Sequence, residues 1–332
     1  MDRTDRRLLD LLQSHLPLTG RPYQGLATAL GLSEEETLQR LRQLKGQGIL
    51  RQIGAIFDSS RLGYHSTLVA LETNPSSVDL AACRLNAHPG ISHNYARDHR
   101  YNIWFTLTLP RQEDLREESA RLAGQVGARD FLYLPALAVF KVGVRLNLSG
   151  GEEEASDGSV GIGPEPLREP WTLTCTEIQA VRALQTDLPL ESRPFKTLAQ
   201  NMEIEEAELL ALARKFLSEG IMRRFAGTLF HRQAGYLFNL LVIWRVSKGE
   251  VREAGGRMAA FAAVSHCYQR LSYPHWPYSL YAMFHARSKG EAEEILKSLV
   301  ETTGLQDYLV LTSLKEYKKQ RVQYFQEKPN GA

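Results

Sequence analysis

The sequence predicts an α+β protein built as a tandem duplication, each copy a winged helix-turn-helix followed by a ferredoxin-like βαββαβ domain. Three observations carry this. First, landmarks recur at a nearly constant spacing. Arg21-Pro22-Tyr23 returns as Arg193-Pro194-Phe195, Gly48-Ile49 as Gly220-Ile221 and Gly63-Tyr64 as Gly235-Tyr236, each 172 residues on. Ser92-His93 returns as Ser265-His266 at 173, and Asp130-Phe131 as Asp307-Tyr308 at 177, after an insertion at 272–277. A spacing held across so many landmarks marks internal repetition. Second, the hydrophobic period in each copy changes from helical to alternating. Third, residues 149–170 are rich in Gly, Glu, Ser and Pro and follow neither period, as a flexible linker would. The resulting boundaries are 1–57 and 171–229 for the two winged helix-turn-helix units and 58–148 and 230–332 for the two ferredoxin-like units.

The elements follow in order. Leu8, Leu9 and Leu12 at helical spacing predict a first helix, residues 23–30 a second stopped by Gly31. Ser33 with Glu36 three residues on reads as a capping box opening a third, with Leu38, Leu41 and Leu44 as its buried stripe and Gly48 at its end. Residues 49–58 read as a β-ribbon. From Tyr64 alternation begins, predicting a strand, a helix over 78–87, two strands turning near Asp98, a helix over 115–126 and a last strand over 131–139, the split-βαβ order.

The chain has 332 residues, 43% hydrophobic and 23% charged, with a formal net charge of +2. That composition suits a globular protein of two or more domains and is too mildly basic to imply nucleic acid. Cys83, Cys175 and Cys267 are scattered, fitting neither a disulfide framework nor a zinc site and suggesting a reducing compartment. No apolar run approaches membrane length, and MDRTDRRLLDLL lacks a signal-type core, so a cytoplasmic location without membrane contact is expected.

Function concentrates in residues 88–105, HPGISHNYARDHRYNIWF. In an extended strand Ile91, His93, Tyr95, Arg97 and His99 share one face. VSHCYQR repeats the pattern with Val264, His266, Tyr268 and Arg270. A single copy of Ser-His-x-Tyr-x-Arg could be a solvated strand face; two copies at matching places point to a site. Elsewhere His15, His65 and His88 read as surface or structural residues, His285 as a satisfied core histidine, and Lys141, Lys318 and Lys319 as rim cations or solvated tails.

At HPGISHNYARDHRYNIWFTL, and at VSHCYQR with the later HWPYSLYAMFHA, the chain resembles the siroheme decarboxylases, enzymes of haem biosynthesis with an Lrp/AsnC-type fold. The first half resembles one subunit type through His93-Asn94-Tyr95-x-Arg97-x-His99 and through Leu134-Pro135 with Phe140-Lys141-Val142-Gly143. The second resembles the partner type through His266-Cys267-Tyr268-x-Arg270, Trp276-Pro277-Tyr278 and Lys315-Glu316-Tyr317-Lys318-Lys319. The likeness spans nearly everything but the linker and implies a fusion of both subunits, an internal pseudo-dimer with room for further homo-oligomerisation. Ser279 stands where the family pattern leads one to expect Asn.

The resemblance implies loss of the two acetate carboxyl groups of siroheme to give didecarboxysiroheme, for an alternative haem route or a denitrification haem. Iron would arrive inside the substrate, with no separate metal or organic cofactor. The residues suit such chemistry. Arg97 and Arg270 can clamp carboxylates. His93 and His266, with Tyr95 and Tyr268 to hold them, can supply protons near neutral pH. His99, Trp104, His275 and Trp276 can wall or cover a flat ring. His231 and Arg232 have no counterpart in the first copy, where Ser59-Ser60 stand; they are candidates for carboxylate binding, and His231 for ligation of the substrate iron.

The competing expectation is an Lrp/AsnC-type regulator or a haem-sensing DNA-binding protein. A recognition helix meets DNA with its first turn, backed by cations on phosphates. Here it opens with Glu34, Glu35 and Glu36, and its counterpart carries Glu205, Glu206 and Glu208, so no specific nucleic-acid partner is expected.

Overall fold

A computed structural model of the chain describes residues 1–143, 148, 169–230, 233–236 and 238–326. The first copy runs α1 (Arg3–Ser14), α2 (Pro22–Leu30), α3 (Glu34–Gly46), β1 (Leu50–Phe57), β2 (Tyr64–Glu72), α4 (Val78–Asn86), β3 (Ile91–Arg97), β4 (Ile103–Pro110), α5 (Leu115–Gln125) and β5 (Asp130–Val142). The second repeats it as α6 (Cys175–Leu184), α7 (Pro194–Gln200), α8 (Glu206–Ser218), β6 (Met222–Leu229), β7 (Phe238–Trp244), α9 (Val251–Ala259), β8 (Val264–Arg270), β9 (Leu280–Ala286), α10 (Lys289–Thr303) and β10 (Tyr308–Lys319). Most of the expected linker lies outside the described residues.

Local chemistry sets the helix ends. Pro22 and Pro194 open α2 and α7, where a missing N–H costs nothing. Gly31 closes α2 at φ +70°, a left-handed turn that a side chain would strain. The Ser33 hydroxyl accepts from the Glu36 backbone N–H. The Glu36 carboxylate does not complete the expected box; it accepts from Arg40 (3.1 Å) instead.

One expectation needs correction. Residues 49–58 do not form a ribbon within their own copy. β1 pairs antiparallel with β6 of the other copy, Leu50 opposite Leu229 and Phe57 opposite Met222. A lone strand would leave its backbone groups unpaired, and the duplicate supplies the only partner needed. Leu50, Ile53, Phe57, Met222 and Phe225 then merge both helical units into one core with Leu8, Leu41, Val181 and Phe216.

The remaining strands close into an eight-stranded barrel, ordered β10-β3-β4-β2-β5-β8-β9-β7. It consists of the two four-stranded ferredoxin-like sheets, joined at one seam by β5 with β8 and at the other by β10 with β3. β5 runs three residues past its expected end because its second half pairs with β8. Each sheet buries its outer face under its own helices: Val69, Ile91 and Phe105 against Leu85 and Leu122 in one copy, Val242, Val264 and Phe284 against Met258 and Leu299 in the other. The inner faces look at each other. Among the described residues no helix is long and apolar enough to cross a membrane.

Candidate active site

The inner faces enclose a cavity of about 440 Å³, within the range of pockets that take cofactor-sized ligands. His93, Tyr95 and Arg97 of β3 and His266, Tyr268 and Arg270 of β8 all line it. The two repeated motifs therefore serve one space, from two sheets.

A bulge in each strand aims them. Simple alternation places Ile91 beside His93 and Val264 beside His266. In the structure the pairing register slips between Ile91 and His93, and again between Val264 and His266. An extra residue at such a slip reverses the facing of what precedes it. Ile91 and Val264 consequently join the outer cores, and each histidine bonds the serine before it: Ser92 Oγ to His93 Nδ1 at 2.9 Å, Ser265 Oγ to His266 Nδ1 at 3.1 Å.

Each motif then holds itself rigid. His93 stacks on Tyr95 (6.4 Å between ring centroids) and His266 on Tyr268 (6.1 Å). Arg97 lies over the Tyr95 ring at 5.5 Å and Arg270 over Tyr268 at 4.6 Å. Arg97 Nη1 donates to the Leu311 carbonyl and Arg270 Nη1 to the Leu134 carbonyl, both at 2.7 Å and both across a seam. The Nε of each guanidinium is buried with no partner among the described residues. No carboxylate of the described residues acts on either; burial lowers both from the usual arginine range, Arg97 to about 10, and a guanidinium keeps its charge at neutral pH. An enclosed cation without a counter-ion is costly unless a ligand supplies one.

More positive charge gathers around them. Lys319, Gln320, Arg321 and Tyr324 line the cavity from the segment that follows β10. That segment is pinned by Gln320 N–H to the Ser92 carbonyl (2.7 Å), by Arg321 Nη1 to the Ala55 carbonyl (3.0 Å) and by the Gln185 side chain on the Tyr324 backbone. The histidines feel this. Burial first, then Lys319, pushes His93 down to about 3 and His266 to about 4. Both rings are therefore neutral at pH 7 among the protein's own charges, rather than poised near neutrality as their residue type suggests.

Trp104 also lines the cavity, its indole N–H donating to the Tyr101 carbonyl (2.6 Å). Three further candidates lie away from the lining. His99 sits on the β3–β4 turn, its Nδ1 accepting from the Tyr101 N–H (3.1 Å). Trp276, from the inserted loop, is buried behind Trp104 at 6.0 Å and donates to the Tyr281 hydroxyl (2.7 Å). His275 is exposed and stacks on Tyr273. Trp276 from the insertion packs into an aromatic cluster with His99, Tyr101, Trp104 and Tyr278, behind the cavity wall, while His275 stays outside it. His231 and Arg232 lie outside the described residues. Ser279 donates to the Val246 carbonyl (2.9 Å), a structural bond at the start of β9.

The cavity also takes in Asn239, Tyr281, Met283 and Arg321, which sequence reasoning did not single out, His285, read there as a core histidine, and Lys319, read there as a rim cation or a solvated tail. The signal for three of them was available. Tyr281, Met283 and His285 alternate along β9 and stand 177 residues beyond Trp104, Thr106 and Thr108, which line the cavity from β4.

Comparison with known proteins places this geometry. Residues 61–141 and 233–318 match the AsnC-like ligand binding domain, and residues 5–51 and 177–223 the siroheme decarboxylase NirDL-like HTH domain. A siroheme decarboxylase of Hydrogenobacter thermophilus is 34% identical over 322 residues, covering 97% of this chain and 95% of that protein. The siroheme decarboxylase NirDL subunit of Paracoccus denitrificans is 34% identical over 92% of both chains. A crystal structure of the siroheme decarboxylase NirDL superposes with a TM-score of 0.72 at 30% identity, covering 98% of this chain and 95% of that one. A second, of NirDL in complex with an iron-uroporphyrin III analogue, gives 0.71 at the same identity and coverage.

Proposed function

The chain belongs to the siroheme decarboxylase family of haem-biosynthetic enzymes, and on that premise we propose that its barrel cavity removes the two acetate carboxyl groups of siroheme, giving didecarboxysiroheme. The observation that carries the reading is the pair of arginines, Arg97 and Arg270, aimed into one cavity without a carboxylate of their own. A flat ring fringed with carboxylates supplies both charges, and Trp104, Leu68 and Leu241 offer it apolar walls.

In the reaction the bond between the acetate methylene and its carboxylate carbon breaks. Carbon dioxide leaves, and the electron pair stays on the methylene carbon, where the metallated macrocycle delocalises it. A proton then converts that carbon to a methyl group. The iron comes with the substrate; what the protein adds is position, exclusion of water from the departing carboxylate and a proton. His93 and His266 are the proton donors in this reading. Neutral among the protein's own charges, each gains proton affinity when substrate carboxylates arrive beside it, since negative charge opposes the effect of Lys319. Binding thus recruits the protons that the reaction consumes. Tyr95 and Tyr268 hold the rings, and Arg97 and Arg270 the carboxylates that stay.

The reading includes a cytoplasmic location and no specific nucleic-acid partner. Every basic residue of α3 and α8 is already engaged: Arg40 with Asp2, Asp5 and Glu36, Arg42 with Glu35 and the Leu190 carbonyl, Lys45 with Asp187, Arg214 with the Leu18 carbonyl and Lys215 with Glu177. Several of these contacts tie the two helical units together, leaving little charge for phosphates.

Anaerobic incubation with siroheme, followed by mass analysis, tests the activity. Two successive losses of carbon dioxide are expected; siroheme recovered unchanged overturns the reading.

A further inference from the structure

The barrel is nearly two-fold symmetric, but the ligand it is proposed to take is not. A cavity with identical halves would accept such a ring in either of two orientations equally. The halves differ where β10 and β5 cross the motifs. Lys319 pairs in register with His93, whereas the corresponding partner of His266 is Val142. One step further, Glu316 pairs with Tyr95 and adds to the burial that raises its phenol, whereas Val139 pairs with Tyr268. Lys319 and Val142 both line the cavity, and both stand at the same place in their strands, 177 residues apart. The motifs themselves differ only at Asn94 and Cys267, which face away from the cavity, and at Ala96 and Gln269. The charge asymmetry at the motifs thus comes from the crossing strands, not from the histidines, tyrosines and arginines.

We propose that Lys319 fixes which way round the unsymmetrical tetrapyrrole polyanion sits, and so decides which of its two acetates is lost first. The proposal rests on the decarboxylase reading for its second half alone; the orientation is a property of binding. An ammonium reaching in from the β10 seam, felt by His93 and His266 alike, and an isopropyl group at the β5 seam give a ring carboxylate a reason to choose, because a carboxylate at the Val142 seam loses water without gaining a cation there. Lys319 acts on substrate position, so it is a positioning residue rather than a proton donor.

Two measurements test this. The first reads orientation without turnover: NMR of the metal-free macrocycle, sirohydrochlorin, bound to the full chain. Native protein should show one set of ring-methyl signals, with the minor set at a tenth or less. Lys319→Val should show two sets of similar size, and the exchanged variant, Lys319→Val with Val142→Lys, should show the minor set promoted to major. The second reads order: single-turnover reactions with siroheme, quenched at the first loss of carbon dioxide, with the two mono-decarboxylated isomers separated. A ratio of at least 10:1 should fall towards 1:1 in Lys319→Val and invert in the exchange. Lys319→Met, which keeps the stem, substitutes if Lys319→Val folds poorly. One unchanged orientation in all variants, or two equal orientations in the native protein, overturns the proposal, as does failure of the macrocycle to bind. Orientation that shifts as described without any release of carbon dioxide leaves the proposal standing and overturns the decarboxylase reading instead.

Discussion

The helical units and the barrel treat charge in opposite ways. In the helical units cations find carboxylates or carbonyls: Arg223 meets the buried Asp58, Lys215 meets Glu177, Arg21 meets Glu34 and, at the matching place in the second copy, Arg193 meets Glu206. Inside the barrel Arg97 and Arg270 meet only carbonyls and tyrosine rings, and Arg321 keeps a buried Nη2 with no partner among the described residues. Paired charge belongs to the scaffold; charge left without a counter-ion marks where a ligand is to bring one. On the function proposed above, the helical units serve as scaffold and the sheet domains carry the chemistry.

The largest effects should come from the cavity histidines. His93→Ala and His266→Ala are each expected to slow single-turnover decarboxylation by roughly 10²- to 10⁴-fold, as loss of a general acid does, with little change in siroheme affinity. Near-native rates in both would remove the proton-donor role. Next come the arginines. Arg97→Ala or Arg270→Ala should weaken siroheme binding by about 2–5 kcal/mol, since a substrate carboxylate is left unpaired in an enclosed site. The same variants should not lower unfolding stability, because each removes a charge the scaffold does not balance. A fall in melting temperature with unchanged affinity would reverse the distinction drawn between the two regions.

Asp58 offers the converse. It accepts from Arg223 (3.0 Å), from the Ser60 hydroxyl (2.6 Å) and from the Ser60 backbone. Asp58→Ala should cost about 1–3 kcal/mol of stability by removing the acceptor of the Ser60 hydroxyl, the Ser60 backbone N–H and Arg223, while the folded fraction keeps its affinity for siroheme; denaturant melts alongside titration separate the two.

A smaller effect is expected with pH. The folded protein holds His93 and His266 near 3 and 4, below the unfolded value of 6.5. On acidification the unfolded chain takes up protons first. Their contribution to stability is therefore complete above pH 6.5 and lost progressively as pH falls towards 4 and then 3, at up to about 1.4 kcal/mol per pH unit for each ring. Removing one histidine should halve that slope; an unchanged slope in His93→Ala would contradict its burial as a neutral ring. Smallest of all should be the effect of DNA. Gel shifts at physiological salt should show no nanomolar complex that survives competitor, and one that did would return the helices to the regulator reading.

The duplication, the helices and the strand order were legible because periodicity and fixed spacing are local and repetitive. Leu8, Leu9 and Leu12, or the stop at Gly31, need nothing from the rest of the chain. The shared ribbon was not legible, since nothing in residues 49–58 says that their partner lies in the other copy. The motif faces were read correctly from His93 to Arg97 and wrongly at Ile91, because a bulge costs one residue of phase and leaves no sign in a seven-residue strand, and at His99, which lies past the strand's end on the turn. Lys319 and Arg321 are cations near the end of a strand, identical in sequence to a solvated tail; only the closure of β10 onto β3 turns them inward.

Closure of the barrel has a further consequence. β3, β5, β8 and β10 are the outermost strands of their sheets, and each is consumed by a strand of the other copy. A separated half would expose two rows of unpaired backbone groups, the template from which strands add to one another and chains aggregate. Its natural escape is to pair with a second copy of itself, giving a barrel with two identical poles. Joining unlike halves in one chain keeps the intended partner at high local concentration and competes with that self-pairing. The fusion thus acts as quality control on assembly: it favours the mixed barrel over the two like-with-like barrels that free halves could form.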